Sequence, residues 1–222
     1  MIQKASLDFL KDLKENNNRE WFHANKKRYD AFREDYQQLV QDFLTAMTER
    51  DPALRHLEVK DCMFRINRDI RFTKDKSPYK TQMGIWMSTG QKNTNLAGYY
   101  IQIEPGASFL TGGVYWPDAA DLKKIRKEIA FFQEDLEEIL HGEPFATVFG
   151  DLDRNEENQL KTAPKDFDKD HPAIEYLKLK YFTATRNIPD KMLTSRSLVN
   201  DTCDQLIALK PLTEFLNRAL TS

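Results

Sequence analysis

The tightest constraint in this sequence is a change of hydrophobic period close to residue 62. Before it, Tyr29, Phe32, Tyr36, Leu39, Phe43 and Met47 step by 3, 4, 3, 4 and 4. That spacing lays one apolar stripe along a helix, predicted from about Asn25 to Arg50. Asp51-Pro52 ends it, since proline disfavours helical geometry in the residue before it. After it, CMFRINRDIRF (62–72) alternates, with Phe64, Ile66, Ile70 and Phe72 on one face and Arg65, Asn67, Asp69 and Arg71 on the other, the period of a strand. Three more apolar runs, MGIWMS, GYYIQIE and ASFLTGGVYW, follow with turn-rich stretches between them, TGQKNTN and Pro105-Gly106 among these. TATRNI, far downstream, reads as an edge strand.

Helices flank this run of strands. Ser6 is placed to cap a first helix carrying Leu7, Leu10 and Leu13, and Trp21-Phe22 to pack the corner before the second. Leu122, Ile125, Ile129, Phe132, Leu136 and Ile139 predict one helix from Asp118 to His141, and the stretch from Asp190 to Leu220 is helical, with Pro211 starting a new turn or a kink. Helices, then strands, then helices, without βαβ alternation, predict an α+β fold: one mostly antiparallel sheet of about four to five strands packed against several helices. No repeat or linker divides the chain, so a single domain over residues 1–222 is expected.

Charge sets what such a domain can meet. With 33 Lys+Arg against 35 Asp+Glu the net charge is −2, which argues against a wholesale nucleic-acid or membrane-surface binder but permits a local basic patch. The two cysteines, Cys62 and Cys203, lie far apart, the N-terminus lacks an apolar leader core, and no window nears the roughly 18 apolar residues of a membrane helix. A cytoplasmic protein with reduced thiols and no membrane partner is expected.

The basic patch is at 60–80, KDCMFRINRDIRFTKDKSPYK, where seven Lys and Arg face three Asp for a local charge of +4. Arginine is rare in strands and costly to bury. Arg65 and Arg71 share the polar face, while Arg68 falls on the apolar one and needs a buried partner or a bulge. Guanidinium forks present paired N–H donors to phosphate or carboxylate, and Lys74, Lys76 and Lys80 follow in the next loop. The other reading is a solvated face with internal pairs such as Arg71 with Asp69. A weaker hint is the 118–141 helix, whose first half is basic and second half acidic, against the macrodipole; an exposed face with no role explains it as well.

Tyr99, Tyr100, Tyr115 and Trp116 surround Gly112-Gly113, which suggests a bulge or a close approach; the aromatics suit either base stacking or core packing. Glu104 is a candidate neutralising partner of the arginines, or a general base. The four histidines lack ligand spacing, and Asp166, Asp168 and Asp170 begin a calcium-like loop whose sixth and twelfth positions are His171 and Leu177, so no metal site is read. There is no dinucleotide fingerprint, phosphate loop or nucleophile elbow, and no cofactor is implied.

The blocks NNNREWFHANKKRY (16–29), FRINRDIRFTKDKSPYKTQMG (64–84), GYYIQIEPGASFLTGG (98–113) and LKTAPKDFDKDHPAIEYLKLK (160–180) together resemble DUF2461, a bacterial and fungal family of unknown function. The resemblance implies one domain across the chain and carries no activity, cofactor or catalytic residue. Its motif positions here include Arg65, Arg68, Asp69, Arg71, Lys74, Lys76, Pro78, Tyr79, Lys80, Tyr99 and Glu104.

The expectation is therefore a small anionic ligand, phosphate- or nucleotide-like, bound by Arg65, Arg68, Arg71, Lys74, Lys76 and Lys80 with Tyr99 and Glu104 nearby. Two alternatives stand beside it: a nucleic-acid-contacting module using the same patch, and a structural or partner-binding protein whose arginines are internally paired. No nucleophile–base pair can be named, so no reaction is read.

Overall fold

A computed structural model describes residues 1–90 and 95–222. In chain order the elements are α1 (Lys4–Glu15), α2 (Arg19–Ala24), α3 (Lys26–Arg50), α4 (Val59–Cys62), β1 (Met83–Ser88), β2 (Gly98–Ile103), β3 (Phe109–Val114), α5 (Ala119–Phe131), α6 (Gln133–His141), α7 (Phe145–Phe149), α8 (Ile174–Leu177), β4 (Phe182–Asn187), α9 (Asp190–Leu193), α10 (Leu198–Leu206) and α11 (Lys210–Thr221). The strands form one antiparallel sheet in the order β1-β2-β3-β4, which makes the fold α+β. The turn expected at 89–95 lies largely outside the described residues.

Periodicity accounts for the long helices. In α3 the residues Phe32, Tyr36, Leu39, Phe43 and Met47 are all buried, as an amphipathic stripe requires. Asp51 stops it and caps the short turn that Pro52 opens. The first helix begins earlier than its expected cap: Gln3 precedes it, and Ser6 is buried within it. In α2, the Asn18 side chain accepts from the Trp21 N–H at 2.9 Å, closing the helix entry.

The chain falls into two compact units. The first comprises residues 1–87, 100–110 and 187–203; α1 packs on α3 there, and Phe9, Leu10, Leu13, Leu39, Phe43 and Met47 are almost wholly buried. The second comprises residues 88–99, 111–186 and 204–222. In it α11 packs on α5 and α6, burying Leu212 and Leu216 along with Ile125, Ile129, Leu136 and Leu140.

The second unit corrects the single 118–141 helix and explains its reversed charge. The helix breaks at Phe132, which leaves the helical region and exposes its ring. Arg218 of α11 bridges the break: it bonds Glu128 of α5 and Asp135 of α6, and its guanidinium lies 4.6 Å from the Phe132 ring centre. The basic half is equally engaged, Lys123 with Asp166 (3.1 Å), Lys124 with the Ser222 carbonyl (3.1 Å), and Arg126 with the Leu179 carbonyl (3.0 Å). These cations tie helices and loops together. Gly113, in β3, has φ +122°, and a Cβ there would collide with the Phe182 carbonyl, which is the close approach the paired glycines suggest.

The strand expected at 62–72 does not form. Residues 63–82 are an irregular excursion without a strand, whose ladder contacts are isolated bridges such as Met63 with Ile85 and, within the excursion, Asn67 with Tyr79. Two causes are visible. The apolar face is only partly covered, with Phe64 44% and Phe72 94% exposed and Ile66 and Ile70 half-buried. Short acidic side chains also capture their own backbone, Asp69 accepting from the Arg71 N–H and Asp75 from the Ser77 N–H, which competes with a ladder.

Candidate functional site

The excursion leaves and returns as two antiparallel limbs. Arg68 N–H donates to the Pro78 carbonyl (2.9 Å) and Lys80 N–H to the Ile66 carbonyl (2.7 Å). At its root the Asn17 side chain both donates to the Tyr79 carbonyl (2.9 Å) and accepts from the Tyr79 N–H (3.1 Å). The Tyr79 ring stacks on Phe22, centres 4.0 Å apart. Tyr36 closes the other side, its hydroxyl donating to the Gly84 carbonyl and accepting from the Phe64 N–H (3.2 Å). Burial pushes the Tyr36 phenol up to about 12, and Cys62 beside it up to about 11.

This geometry divides the expected cluster. Arg68 is engaged by the Asp75 carboxylate and the Ser77 carbonyl (3.1 Å). Asp75 in turn is held down to about 2 by the Ser77 hydroxyl and N–H, and then by Arg68. Arg71 lays Nε (3.0 Å) and Nη2 (2.6 Å) on Asp69, a bidentate pair on the exposed tip. Lys76 donates to the Ile70 carbonyl (2.9 Å), and Lys74 is exposed on the same tip. Glu104 does not meet the arginines; its partners are Lys14 (3.0 Å) and Gln102 (3.0 Å). Tyr99 is buried at 1% exposure, a core residue, whereas its neighbour Tyr100 emerges on the opposite face of β2 and meets the Phe64 ring.

Arg65 and Lys80 are left. Neither has a carboxylate or carbonyl partner among the described residues. The half-buried Lys80 ammonium stands 4.9 Å from the centre of the Phe64 ring, and burial together with the Arg65 charge holds it below the usual lysine value.

Both line a cavity of about 310 Å³ against α3. Its wall also carries Arg33 and Lys60, the rings of Tyr29, Phe32, Tyr36 and Phe64, and the polar ends of Gln37, Asn67 and Gln82; it includes no Asp or Glu. Lys60 is paired with Glu58 (2.7 Å), and Asp69, which feels Arg65 from farther off, is already clasped by Arg71. Tyr29, Arg33, Tyr36 and Gln37 share one helix face by their three- and four-residue spacing. Arg33, Tyr36 and Phe64 escaped the sequence reading because only the tertiary fold sets α3 opposite the excursion. The helix stripe that placed Tyr29 and Tyr36 was the one available signal.

No helix of the described residues is long and apolar enough to cross a membrane. Neither a curated protein nor a solved structure matches the chain. One family model does, described as a conserved hypothetical protein (DUF2461), and it covers residues 5–215; the chain belongs to that family.

Proposed function

We propose that this protein binds a small phosphate-bearing anion in the cavity against α3, with Arg65 and Lys80 as its principal donors and Arg33 closing from the helix. The observation that carries this reading is the pairing of two uncompensated cations with a cavity wall that contains no acid. A guanidinium supplies a paired N–H fork and the ammonium a point charge, a combination suited to phosphate oxygens. The rings on the wall favour a ligand with a flat or apolar part beside its charge. The site is narrower than the expected one: Arg68, Arg71 and Lys76 serve the loop's own structure. A concave site of this size suits one small molecule better than a polymer backbone, which is met by cations strung along a surface.

Thermal unfolding with pyrophosphate and with mononucleotides tests the reading. Ligand at a hundred times its Kd adds about 2.7 kcal/mol of stability, which raises the midpoint by several degrees. Arg65→Gln and Lys80→Gln are expected to abolish the rise, and Arg71→Gln to leave it. Absence of any rise, or equal loss in Arg71→Gln, overturns the proposal; a steep fall of affinity with log salt for oligonucleotides alone would favour nucleic acid instead.

A further inference from the structure

We infer that Lys80 is a carbonyl-reactive lysine, whose amine condenses with the aldehyde or ketone of a small anionic carbonyl compound held by Arg65. The inference rests on the anion-binding reading of the same cavity and adds the chemistry that the cavity is placed to perform.

Lys80 differs from the lysines around it. Lys14 is paired with Glu104, Lys60 with Glu58, and Lys76 with the Ile70 carbonyl, whereas the half-buried Lys80 ammonium has no carboxylate or carbonyl partner among the described residues, lies 4.9 Å from the Phe64 ring centre and feels the Arg65 charge. Together with Gln82 it lines three hollows, of about 310, 380 and 110 Å³. The neutral amine is the nucleophile in carbonyl condensation, and desolvation beside another cation makes the ammonium easier to deprotonate. The Phe64 face opposes it by favouring the ammonium. Burial and Arg65 nonetheless set the direction, which is downward.

The smallest hollow supplies a proton donor. Tyr100 lines it together with Phe64, Lys80, Gln82 and Gly84. A Cβ at Gly84 would stand 2.8 Å from the Tyr100 hydroxyl oxygen, so the glycine is what lets that hydroxyl lie over β1. The hydroxyl donates to Gln102 (3.2 Å), whose amide donates to Glu104 (3.0 Å), with Lys14 on the other carboxylate oxygen (3.0 Å). Burial raises the Tyr100 phenol, so it stays protonated through the neutral range.

The chemistry balances without oxidant or reductant. The Lys80 nitrogen lone pair attacks the carbonyl carbon, the C=O π pair moves to oxygen, and one proton passes from nitrogen to that oxygen to give a carbinolamine. Protonation of its hydroxyl, for which Tyr100 is the nearby donor, releases water as the nitrogen lone pair forms C=N and the nitrogen gives up its remaining proton. One amine and one carbonyl become one imine and one water, and hydrolysis reverses the step.

Pyridoxal 5′-phosphate, which carries both an aldehyde and a phosphate, is the probe. The full chain is incubated with it, reduced with borohydride and mapped by peptide mass spectrometry. Labelling is expected to concentrate at Lys80, to fall about tenfold with pyridoxal lacking the phosphate, to be blocked by pyrophosphate, and to fall about tenfold in Arg65→Gln but not in Arg71→Gln. Tyr100→Phe is expected to slow labelling while keeping the pyrophosphate-induced thermal shift. Lys80→Arg, which keeps the positive charge, checks that the label is lost in a folded protein. Pyrophosphate binding with labelling spread over surface lysines overturns this inference and leaves the anion site standing. Failure of both pyrophosphate binding and labelling overturns the two together, and labelling at Lys80 that ignores pyrophosphate and Arg65 overturns the link between them.

Discussion

The side chain of Asn17 pairs with both the N–H and the carbonyl of Tyr79, across 62 positions of sequence, as a neighbouring strand would. A single amide at the end of α1 thereby does for the excursion what a ladder does for a strand. It satisfies two backbone groups of a residue that is only 7% exposed and would otherwise keep them unpaired.

Asn17→Ala is therefore expected to cost about 1–3 kcal/mol, the penalty of orphaning buried polar groups, in denaturant unfolding. Amide exchange at Arg68 and Lys80, whose N–H groups join the two limbs, should quicken in the same variant. Unchanged protection at both would show that the limbs hold without the clamp.

Tyr36 and Cys62 give the alkaline limb of stability. Their folded values, about 12 and about 11, lie above the ordinary 10.0 and 9.0, so the folded chain prefers both groups neutral. That contribution is intact below about pH 9 and is lost as pH rises through 11 and 12, where the unfolded chain ionises first. Unfolding midpoints measured from pH 8 to 12 should fall for the natural chain and fall less for Tyr36→Phe combined with Cys62→Ala. At pH 7, Tyr36→Phe alone is expected to cost about 1–3 kcal/mol, because the Phe64 N–H and the Gly84 carbonyl lose their partner.

Asp75 behaves in the opposite sense. Its folded value of about 2 lies below the ordinary 3.8, so its favourable contacts with Ser77 and Arg68 are present above the ordinary carboxylate range and fade as pH falls through about 2. Carboxyl carbon shifts followed by NMR from pH 5 to 1.5 should show Asp75 titrating last among the acids of the excursion. Arg68→Leu should move its midpoint upward, though not fully to the ordinary value, since Ser77 still donates.

Gly113→Ala is expected to destabilise by more than about 2 kcal/mol, since the φ of +122° disfavours any side chain and the new Cβ meets the Phe182 carbonyl. Equilibrium unfolding measures it; a cost below about 0.5 kcal/mol would mean that β3 and β4 separate readily to make room.

Between them, local patterns in the chain decide the helices and the sheet. The 3–4 stripe of α3 survives because Phe32, Tyr36, Leu39, Phe43 and Met47 all find a surface to bury against, with Tyr29 half-buried at its start, and β1, β2 and β3 lie where the short apolar runs between turns place them. The same rule misleads at 62–72, where alternation is present but its apolar face is covered only in part, and at Phe132, where the helical stripe breaks and Arg218 bridges both halves. Composition likewise marks 60–80 as basic but is silent on which cations are already answered. Asp69 and Asp75 pair with two of them locally, while Arg65 and Lys80 have no direct carboxylate partner among the described residues, since the α3 side chains along that cavity are Tyr29, Phe32, Arg33, Tyr36 and Gln37 and none is an acid. Period is a property of neighbours along the chain, and the sequence alone determines it. Charge compensation depends on neighbours in space, so only the tertiary structure decides it.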